Sequence, residues 1–369
     1  MKFICSKSNL LTGVQTVAKA VPSKTTMSIL ECILVEADSG NIVLTANDME
    51  LGIETVIEGD VLVSGKIALD AKIFLEIVRK LPDNDITIET DDNNKTTITC
   101  EKAKFNIIGK SGDDFSCLPT VEKKEPLVIS QYTLKESVRQ TIFSISDNDN
   151  NKLMTGELFE INKDELKVVS LDGHRISIRK IKLKNSYPFK KVVVPGKTLN
   201  EISKILSGDM EKDVYIYFSE KHIIFEFDNT TVVSRLIEGE YFKIDQMLSN
   251  DYETKVRINK KELLSCIDRA TLLVKEGDKK PIIINIIDGS MELKINSAVG
   301  SMNEEIDIAK QGKDLMIGFN PKFLIDALRV IEDEEIDMYL VNPKAPCFIR
   351  DEEGKYIYLI LPVNFTTVS

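Results

Sequence analysis

A strand that runs into an amphipathic helix occurs three times in this chain, at a fixed interval. The three segments are KIALDAKIFLEIVRKL at residues 66–81, KVVVPGKTLNEISKIL at 191–206 and LMIGFNPKFLIDALRVI at 315–331. The lysine near the start of each helix is Lys72, Lys197 or Lys322, so both intervals are 125 residues. Solenoid repeats have periods of about 20–50 residues. The longer period therefore predicts three tandem copies of one domain.

Each copy is expected to open with another helix, because apolar residues recur there at a spacing near 3.6. Pro22 is the expected end of the first of these helices. Thr133 and Asn259 are the expected N-caps of the other two. The apolar positions are Leu10, Leu11, Val14, Val17, Ala18 and Val21, then Leu134, Val138, Ile142 and Ile145, then Leu263, Ile267, Ala270 and Val274.

Alternating or β-branched segments predict strands at matching places in the three copies. They lie at residues 42–48, 86–90 and 96–100, at 166–172, 214–218 and 222–227, and at 291–297, 336–341 and 347–350. Each copy then has two helices and about eight strands, an α+β domain with helices packed on antiparallel sheet. The polar segments 119–126 and 249–253 are the expected boundaries. The predicted domains are copy one (1–122), copy two (127–249) and copy three (252–369).

The composition excludes several classes of protein. The start of the chain, MKFICSKSNLLTG, lacks the apolar region of a signal peptide, and no apolar run is long enough to span a membrane. The six cysteines are scattered without a CxxC pair, which is typical of reduced, mostly buried cysteines in a cytoplasmic protein. Only His174 and His222 could supply nitrogen to a metal, so neither a metal site nor a cofactor is expected.

Charge is distributed unevenly along the chain. The net charge is −11, yet six helical segments are each net positive and together carry +9, leaving −20 for the rest. Solvated helix faces with acids in the loops by chance would give the same totals. Six basic helices in an acidic chain instead favour a basic surface that follows a phosphate backbone without recognising sequence.

Two short motifs could indicate catalysis. Gly196-Lys197-Thr198 follows a strand and opens a helix, but a P-loop needs an earlier glycine where Lys191 stands. Asp172-Gly173-His174-Arg175 combines an acid, an imidazole and a guanidinium, with no recognisable serine or cysteine nucleophile beside it. A strand-to-helix turn and a polar turn are the alternative interpretations of the two motifs.

The layout and several motifs resemble the β subunit of bacterial DNA polymerase III, the sliding clamp family, over essentially all 369 residues. The motifs are LTANDME at 44–50, SLDGHR at 170–175, GFN at 318–320 and YLILPV at 358–363. Two features depart from the family. Phe242 stands near a usual proline, and Thr366–Ser369 extend beyond the usual end.

The resemblance implies a DNA polymerase processivity factor without catalysis of its own, a homodimeric ring around duplex DNA in the bacterial cytoplasm and nucleoid. The repeat agrees, because two chains of three modules give twelve helices, which at roughly 9 Å spacing leave a channel about 24 Å wide. Four lysines are expected to face the channel, with a polar loop at its rim, and Lys24 and Lys197 also match DNA-contacting positions of the family. The expected DNA contacts are Lys24, Lys72, Asn148, Asn150, Lys152, Lys197 and Lys322.

The resemblance also implies a peptide-binding pocket between copies two and three. Its expected partners are the catalytic subunit of the polymerase, the clamp loader, and other polymerases and repair proteins with short peptide motifs. The apolar side chains suit aliphatic or aromatic anchors. The expected pocket residues are Met154, Leu171, Gly173, His174, Arg175, Ile176, Phe242, Met247, Asn320, Phe323, Leu361, Pro362 and Val363.

Two alternatives of other classes stay open at this point. One is a P-loop or Asp–His phosphohydrolase built on a repeat scaffold, which nucleotide turnover would reveal. The other is a repeat scaffold that binds only protein, which retention on circular but not linearised DNA would exclude. The pocket residues could equally be the packing of a domain junction.

Overall fold

The computed structural model describes residues 1–119, 121–148, 150–274 and 280–365. The helices within these ranges are α1 (Lys7–Val17), α2 (Ala71–Lys80), α3 (Gln131–Arg139), α4 (Gly196–Ile205), α5 (Lys260–Thr271) and α6 (Pro321–Val330). None of them is long and apolar enough to cross a membrane.

The strands fall into three sequential groups. The first group is β1 (Lys2–Ser6), β2 (Cys32–Asp38), β3 (Asn41–Asn47), β4 (Leu51–Ile57), β5 (Asp60–Val63), β6 (Gly65–Asp70), β7 (Asp85–Thr90), β8 (Lys95–Cys100), β9 (Ala103–Ile108) and β10 (Lys110–Ser111). The second is β11 (Leu127–Ser130), β12 (Gly156–Leu171), β13 (Arg175–Pro195), β14 (Asp213–Phe218), β15 (His222–Phe227) and β16 (Thr230–Arg235). The third is β17 (Thr254–Asn259), β18 (Ile282–Ile287), β19 (Ser290–Asn296), β20 (Ser301–Asp307), β21 (Ala309–Gly312), β22 (Leu315–Phe319), β23 (Glu335–Leu340), β24 (Cys347–Arg350) and β25 (Tyr356–Ile360).

The chain forms two compact units. Unit 1 comprises Met1–Lys135 and Glu201–Leu236, and unit 2 comprises Glu136–Asn200 and Ile237–Ser369. Unit 1 holds a five-stranded sheet, β5-β1-β7-β8-β9, and a nine-stranded sheet, β10-β6-β2-β3-β4-β16-β15-β14-β11. Unit 2 holds a seven-stranded sheet, β12-β13-β25-β24-β23-β17-β21, and a four-stranded sheet, β20-β19-β18-β22.

Strands of neighbouring copies pair with one another. In unit 1, β4 of copy one pairs antiparallel with β16 of copy two, with Ile53 opposite Val232. In unit 2, β13 of copy two pairs antiparallel with β25 of copy three, with Ile178 opposite Ile357. These pairings satisfy backbone groups that would otherwise form open sheet edges.

The three predicted strand–helix units are confirmed, and polar N-caps start two of their helices. Asp70 Oδ1 accepts from the Ile73 N–H at 2.8 Å, and Asn320 Oδ1 accepts from the Lys322 N–H at 3.0 Å. Asn259 caps α5 as predicted, accepting from the backbone of Lys261. Each cap satisfies an N–H group that has no partner inside its helix.

The first helix of copy two differs from its prediction. It begins at Gln131, and Ser130 Oγ accepts from the Thr133 N–H at 3.1 Å, so Thr133 is not the N-cap. The helix ends at Arg139. Beyond it, the Thr141 N–H donates to Val138 O at 3.1 Å, a bond to the third residue back. Ile142 therefore lies in a separate 3₁₀ turn and Ile145 beyond it.

The cores are built from the predicted apolar faces. One cluster in unit 2 joins the buried faces of α5 and α6, including Leu263, Ile267 and Leu324, to strands of both its sheets. Five of the six cysteines are buried and all six are free, as expected for reduced thiols, while Cys117 is exposed.

Candidate functional site

The turn between β12 and β13 carries the Asp172-Gly173-His174-Arg175 motif. Asp172 Oδ1 accepts from the N–H groups of His174 (2.9 Å) and Arg175 (3.2 Å), which closes the turn. Gly173 has φ +87°, a backbone conformation that glycine adopts without strain. The turn leaves His174 exposed and directs Arg175 inward. This is a polar turn, not a hydrolytic arrangement.

Arg175 is held by partners from three parts of unit 2. Its side chain is 7% exposed, with Nε 2.9 Å from Asp172 Oδ2 and Nη1 2.6 Å from Asp326 Oδ2. Nη2 donates to Phe143 O. The guanidinium also lies 4.5 Å from the centre of the Phe323 ring. Arg175 thus joins copies two and three at this point.

His174 lies beside residues of copy three. Its ring is stacked on Phe323, with centroids 6.0 Å apart, and its backbone oxygen accepts from the Leu361 N–H at 2.9 Å. Leu361 and Val363 are 37% and 40% exposed, and the Val363 N–H donates to Gly318 O at 2.9 Å. The structure therefore brings the motif of copy two and the last segment of copy three together.

An apolar cluster lies beside this turn. Leu171 and Ile176 are buried in it, and Met154 and Phe242 pack against it partly exposed. Met247 is 45% exposed and follows a short 3₁₀ turn after Phe242. A buried apolar floor with partly exposed apolar side chains at its margin is suited to bind small hydrophobic anchors.

Sequence reasoning missed several residues of this region. Tyr339, Phe348, Ile357 and Leu359 belong to the same cluster as Leu171. All five residues of β25 are buried, because alternate side chains enter two different clusters. The unbroken apolar run YIYLI could have indicated burial on both faces. Nothing in the sequence connects Asp326 to Arg175.

Asn320 and the last described segment, residues 361–365, lie close to α6 and β22. Asn320 caps α6, and Pro321 occupies the first helical position. A Cβ at Gly318 would lie 2.7 Å from Phe365 Cδ1, so glycine allows the tail to pass closely. The extension Thr366–Ser369 lies outside the described residues.

The predicted DNA-contacting lysines are all exposed. Lys72, Lys197 and Lys322 occupy the second position of α2, α4 and α6. The helix dipole disfavours a cation at that position. Asn148, Asn150 and Lys152 are exposed as well, whereas Asp149 between them lies outside the described residues.

The Gly196-Lys197-Thr198 segment is a strand-to-helix turn. β13 continues to Pro195 and α4 begins at Gly196, which leaves no loop to enclose a phosphate. A Cβ at Gly196 would lie 2.3 Å from Ile145 Cδ1, so close packing explains this glycine. The described residues contain no cluster of three His, Cys, Asp or Glu that could hold a metal ion.

Copies one and three each have a strand at the end of a sheet and a highly exposed apolar side chain. β9 is the last strand of the five-stranded sheet, and Ile108 at its end is 85% exposed. β20 is the last strand of the four-stranded sheet, and Leu272, which follows α5, is 82% exposed. Edge strands of this kind are able to pair with another chain.

Comparison with known proteins gives one consistent result. The chain matches models for the N-terminal domain (residues 1–119), central domain (128–243) and C-terminal domain (245–364) of the DNA polymerase III beta subunit. The beta sliding clamp of Staphylococcus aureus is 32% identical over 375 residues, covering 99% of both chains.

Solved structures agree with these matches. A DNA polymerase III beta subunit from Eubacterium rectale is 74% identical with a TM-score of 0.97, covering 99% of this chain and 100% of that one. The DNA polymerase sliding clamp from Bacillus subtilis is 34% identical with a TM-score of 0.95, at the same coverage.

Proposed function

The chain belongs to the DNA polymerase III beta subunit family, the bacterial sliding clamps, and from this premise we propose how its residues act. It is a DNA polymerase processivity factor and not an enzyme. The observation that carries the function is the tandem match of all three clamp domains over residues 1–364. Nothing favours a phosphohydrolase.

Two chains close into a ring through two equal contacts between copy one and copy three. The edge strands β9 and β20 support this pairing, as do the exposed side chains of Ile108 in copy one and Leu272 at the end of α5 in copy three. A head-to-tail contact that closes after two copies hides both edges. The domains taking part are 1–122, 127–249 and 252–369. A monomer or a stable trimer in sedimentation at micromolar concentration contradicts the arrangement.

Duplex DNA is contacted weakly and without recognition of sequence. Lys24, Lys72, Lys197 and Lys322 bind phosphates, with Asn148, Asn150 and Lys152 near the rim of the channel. The repeated lysine at the second helical position supports this assignment, since it is electrostatically unfavourable for the isolated helix. The protein works at the nucleoid in the cytoplasm, where replicating DNA is found.

Partner proteins bind by short peptides in the cleft beside the 172–175 turn. We assign to it the thirteen residues that the resemblance implies, from Met154 to Val363. Exposed apolar side chains such as Leu361, Val363 and Met247 support an incoming hydrophobic peptide. The polymerase catalytic subunit, the clamp loader, and other polymerases and repair proteins share this cleft. Because Arg175 is engaged internally, its role is to position His174 and Phe323.

The decisive experiment is topological. Purified protein is loaded onto nicked circular duplex with a clamp loader, and retention during gel filtration is compared before and after linearisation. Retention on the circle and loss from the linear form are expected for a closed ring. Equal retention on both forms contradicts a sliding ring. Retention on neither form favours the alternative of a repeat scaffold that binds only protein.

A further inference from the structure

A second cavity lies in unit 2 outside the cleft assigned above. Its volume is about 310 Å³, and none of its lining residues belongs to that cleft. Leu248, Phe348 and Ile357 supply its apolar walls, while Lys180 and Arg350 supply two cations. The cavity thus combines hydrophobic surface with positive charge in a chain of net charge −11.

Neither cation forms a salt bridge among the described residues, although Asp245 also lines the cavity and interacts with Lys180 at longer range. Arg350 Nη1 donates to Asn250 Oδ1 at 2.5 Å and to Ser249 O at 3.4 Å, both neutral acceptors. Its guanidinium is 4.6 Å from the centre of the Tyr339 ring, which fixes its orientation. Lys180 makes no ion pair within the described ranges. An acceptor entering the cavity therefore meets two cations that are not held in salt bridges.

The carboxylate at the edge of the cavity is already engaged. Asp245 Oδ1 lies 2.9 Å from Lys167 Nζ. Lys167 lowers the pKa of the Asp245 carboxyl, with smaller contributions from Lys191 and Lys180. Among the lining residues, the two cations Lys180 and Arg350 exceed the one acid, Asp245, by one positive charge.

The cavity and the cleft border the same apolar cluster. Phe348 and Ile357 are buried in the same cluster as Leu171 and Ile176, and Leu248 packs against that cluster as Phe242 does. The cleft and the cavity therefore lie against one core of unit 2, so that one peptide with anchors in the cleft is the occupant that the cavity would receive.

We propose that this cavity binds an acidic residue with an adjacent apolar side chain, in the same partner peptide whose hydrophobic anchors occupy the cleft. The proposal rests on the proposed function, and it adds a charge-selective extension to it. The acidic side chain pairs with Lys180 and Arg350, and the apolar neighbour contacts Leu248, Phe348 and Ile357. Partners that carry such an acidic extension are then preferred over partners with the same anchors alone.

The test uses the full-length protein and two fluorescent peptides. Both carry Leu-Leu-Phe anchors, one extended by Glu-Leu-Glu on either side and the other by Gln-Leu-Gln. Fluorescence anisotropy at about 0.15 M salt is expected to give about fivefold tighter binding of the acidic peptide, the size of a solvent-screened ion pair.

Variants locate the effect. Lys180→Gln with Arg350→Gln is expected to abolish the fivefold preference and to leave the neutral peptide unchanged. Lys184→Gln with Lys190→Gln removes two exposed cations from the same strand outside the cavity, and it is expected to retain the preference. Lys180→Gln alone keeps the stacked Arg350 and is expected to lose part of the preference without any effect on folding.

Four outcomes overturn the proposal. If the neutral peptide binds and the acidic one binds no tighter, only the cavity assignment fails. If neither peptide binds, the cleft assignment fails together with it. Loss of the preference in the Lys184 and Lys190 control means that overall charge is responsible. If millimolar inorganic phosphate removes the preference, the cavity is a site for small anions.

Discussion

Copies one and two contain the same turn with different chemistry. In copy two, Asp172 Oδ1 accepts from the N–H groups of His174 and Arg175. In copy one, Asp48 Oδ1 accepts from those of Glu50 (3.0 Å) and Leu51 (2.7 Å). The repeat therefore preserves the turn through an aspartate that satisfies two backbone donors.

In both copies, a backbone N–H group of the following copy donates a hydrogen bond to the turn. The Arg235 N–H donates to Glu50 O at 2.8 Å, and the Leu361 N–H donates to His174 O at 2.9 Å. Even the left-handed position recurs, with φ +75° at Met49 and +87° at Gly173. The backbone of the turn is therefore the same in both copies. The turn of the candidate cleft differs from its counterpart in copy one by its side chains.

Two pairs of equivalent positions in copies one and two are buried to the same degree but differ in polarity. Leu51 is 2% exposed and its counterpart Arg175 is 7% exposed. Ile33, opposite Leu69 in β6, is fully buried, and Glu157, opposite Val194 in β13, is fully buried too. Copy two thus places two ionisable groups where copy one has aliphatic side chains. Equivalent buried positions in two copies of one domain can therefore hold an aliphatic residue in one copy and an ionisable residue in the other.

The largest effect is expected from giving copy two the residue of copy one at the turn. Arg175→Leu leaves Asp172 and Asp326, which are 15% and 20% exposed, without their counter-ion. Removing one member of a buried ion pair costs about 3–5 kcal/mol. Urea denaturation should show this loss, together with loss of peptide binding. As a control, Arg329→Leu breaks an exposed pair with Asp268 and should cost less than about 1 kcal/mol. Equal effects of the two substitutions mean that Arg175 does not join the copies.

The difference between Ile33 in copy one and Glu157 in copy two can be tested by the pH dependence of stability. Burial raises the pKa of the Glu157 carboxyl to about 8. Neither carboxylate oxygen has a hydrogen-bond partner among the described residues. The folded state therefore binds a proton more tightly than the unfolded state, where the ordinary pKa is 4.5. The resulting stability is complete below pH 4.5 and is lost as the pH rises to about 8.

Glu157→Gln should remove this dependence. Relative to the wild type, the free energy of unfolding of the variant should increase between pH 5 and pH 9, by on the order of 3 kcal/mol. Urea titrations at several pH values measure the difference. Glu165→Gln, on an exposed side chain of the same strand, is the control and should show a flat difference. A flat difference for Glu157→Gln as well means that the carboxyl is ionised at neutral pH.

The two turns should differ in peptide binding. Phe323→Ala removes the ring that contacts both His174 and Arg175, and it should weaken a hydrophobic partner peptide about tenfold, or about 1.4 kcal/mol. Met49→Ala, at the exposed counterpart turn, should leave the affinity unchanged. Isothermal titration calorimetry measures both. If the two variants lose affinity equally, the peptide does not distinguish the copies.

The smallest effect is expected for DNA, since the lysines of the two copies act alike. Lys24→Ala and Lys197→Ala should each reduce the slope of log Kobs against log salt by about 0.9 for every phosphate that the variant no longer neutralises. Binding of short duplexes at several salt concentrations gives the slope. Lys344→Ala, an exposed lysine of a turn in copy three, should leave it unchanged. An unaltered slope in the double variant shows that these lysines do not contact phosphates.

Local patterns predicted the elements better than their ends. The strand–helix units around Lys72, Lys197 and Lys322 are confirmed because the change of apolar period from 2 to 3.6 is a local property. The N-cap at Asn259 is confirmed for the same reason. The prediction failed at Thr133, where Ser130 offered an equally good cap one turn earlier.

The sequence by itself determined the threefold repeat, the strand–helix units, the family motifs and which faces of the helices are apolar. The tertiary structure decided that Arg175 meets Asp326, 151 residues away, and that Glu157 is enclosed with no hydrogen-bond partner for its carboxylate among the described residues. It also decided that Phe348 and Ile357 serve one cluster with Leu171. The physical reason is that periodicity fixes which face of an element is apolar. Only long-range strand pairing fixes what covers that face, and hence whether a buried charge finds a partner.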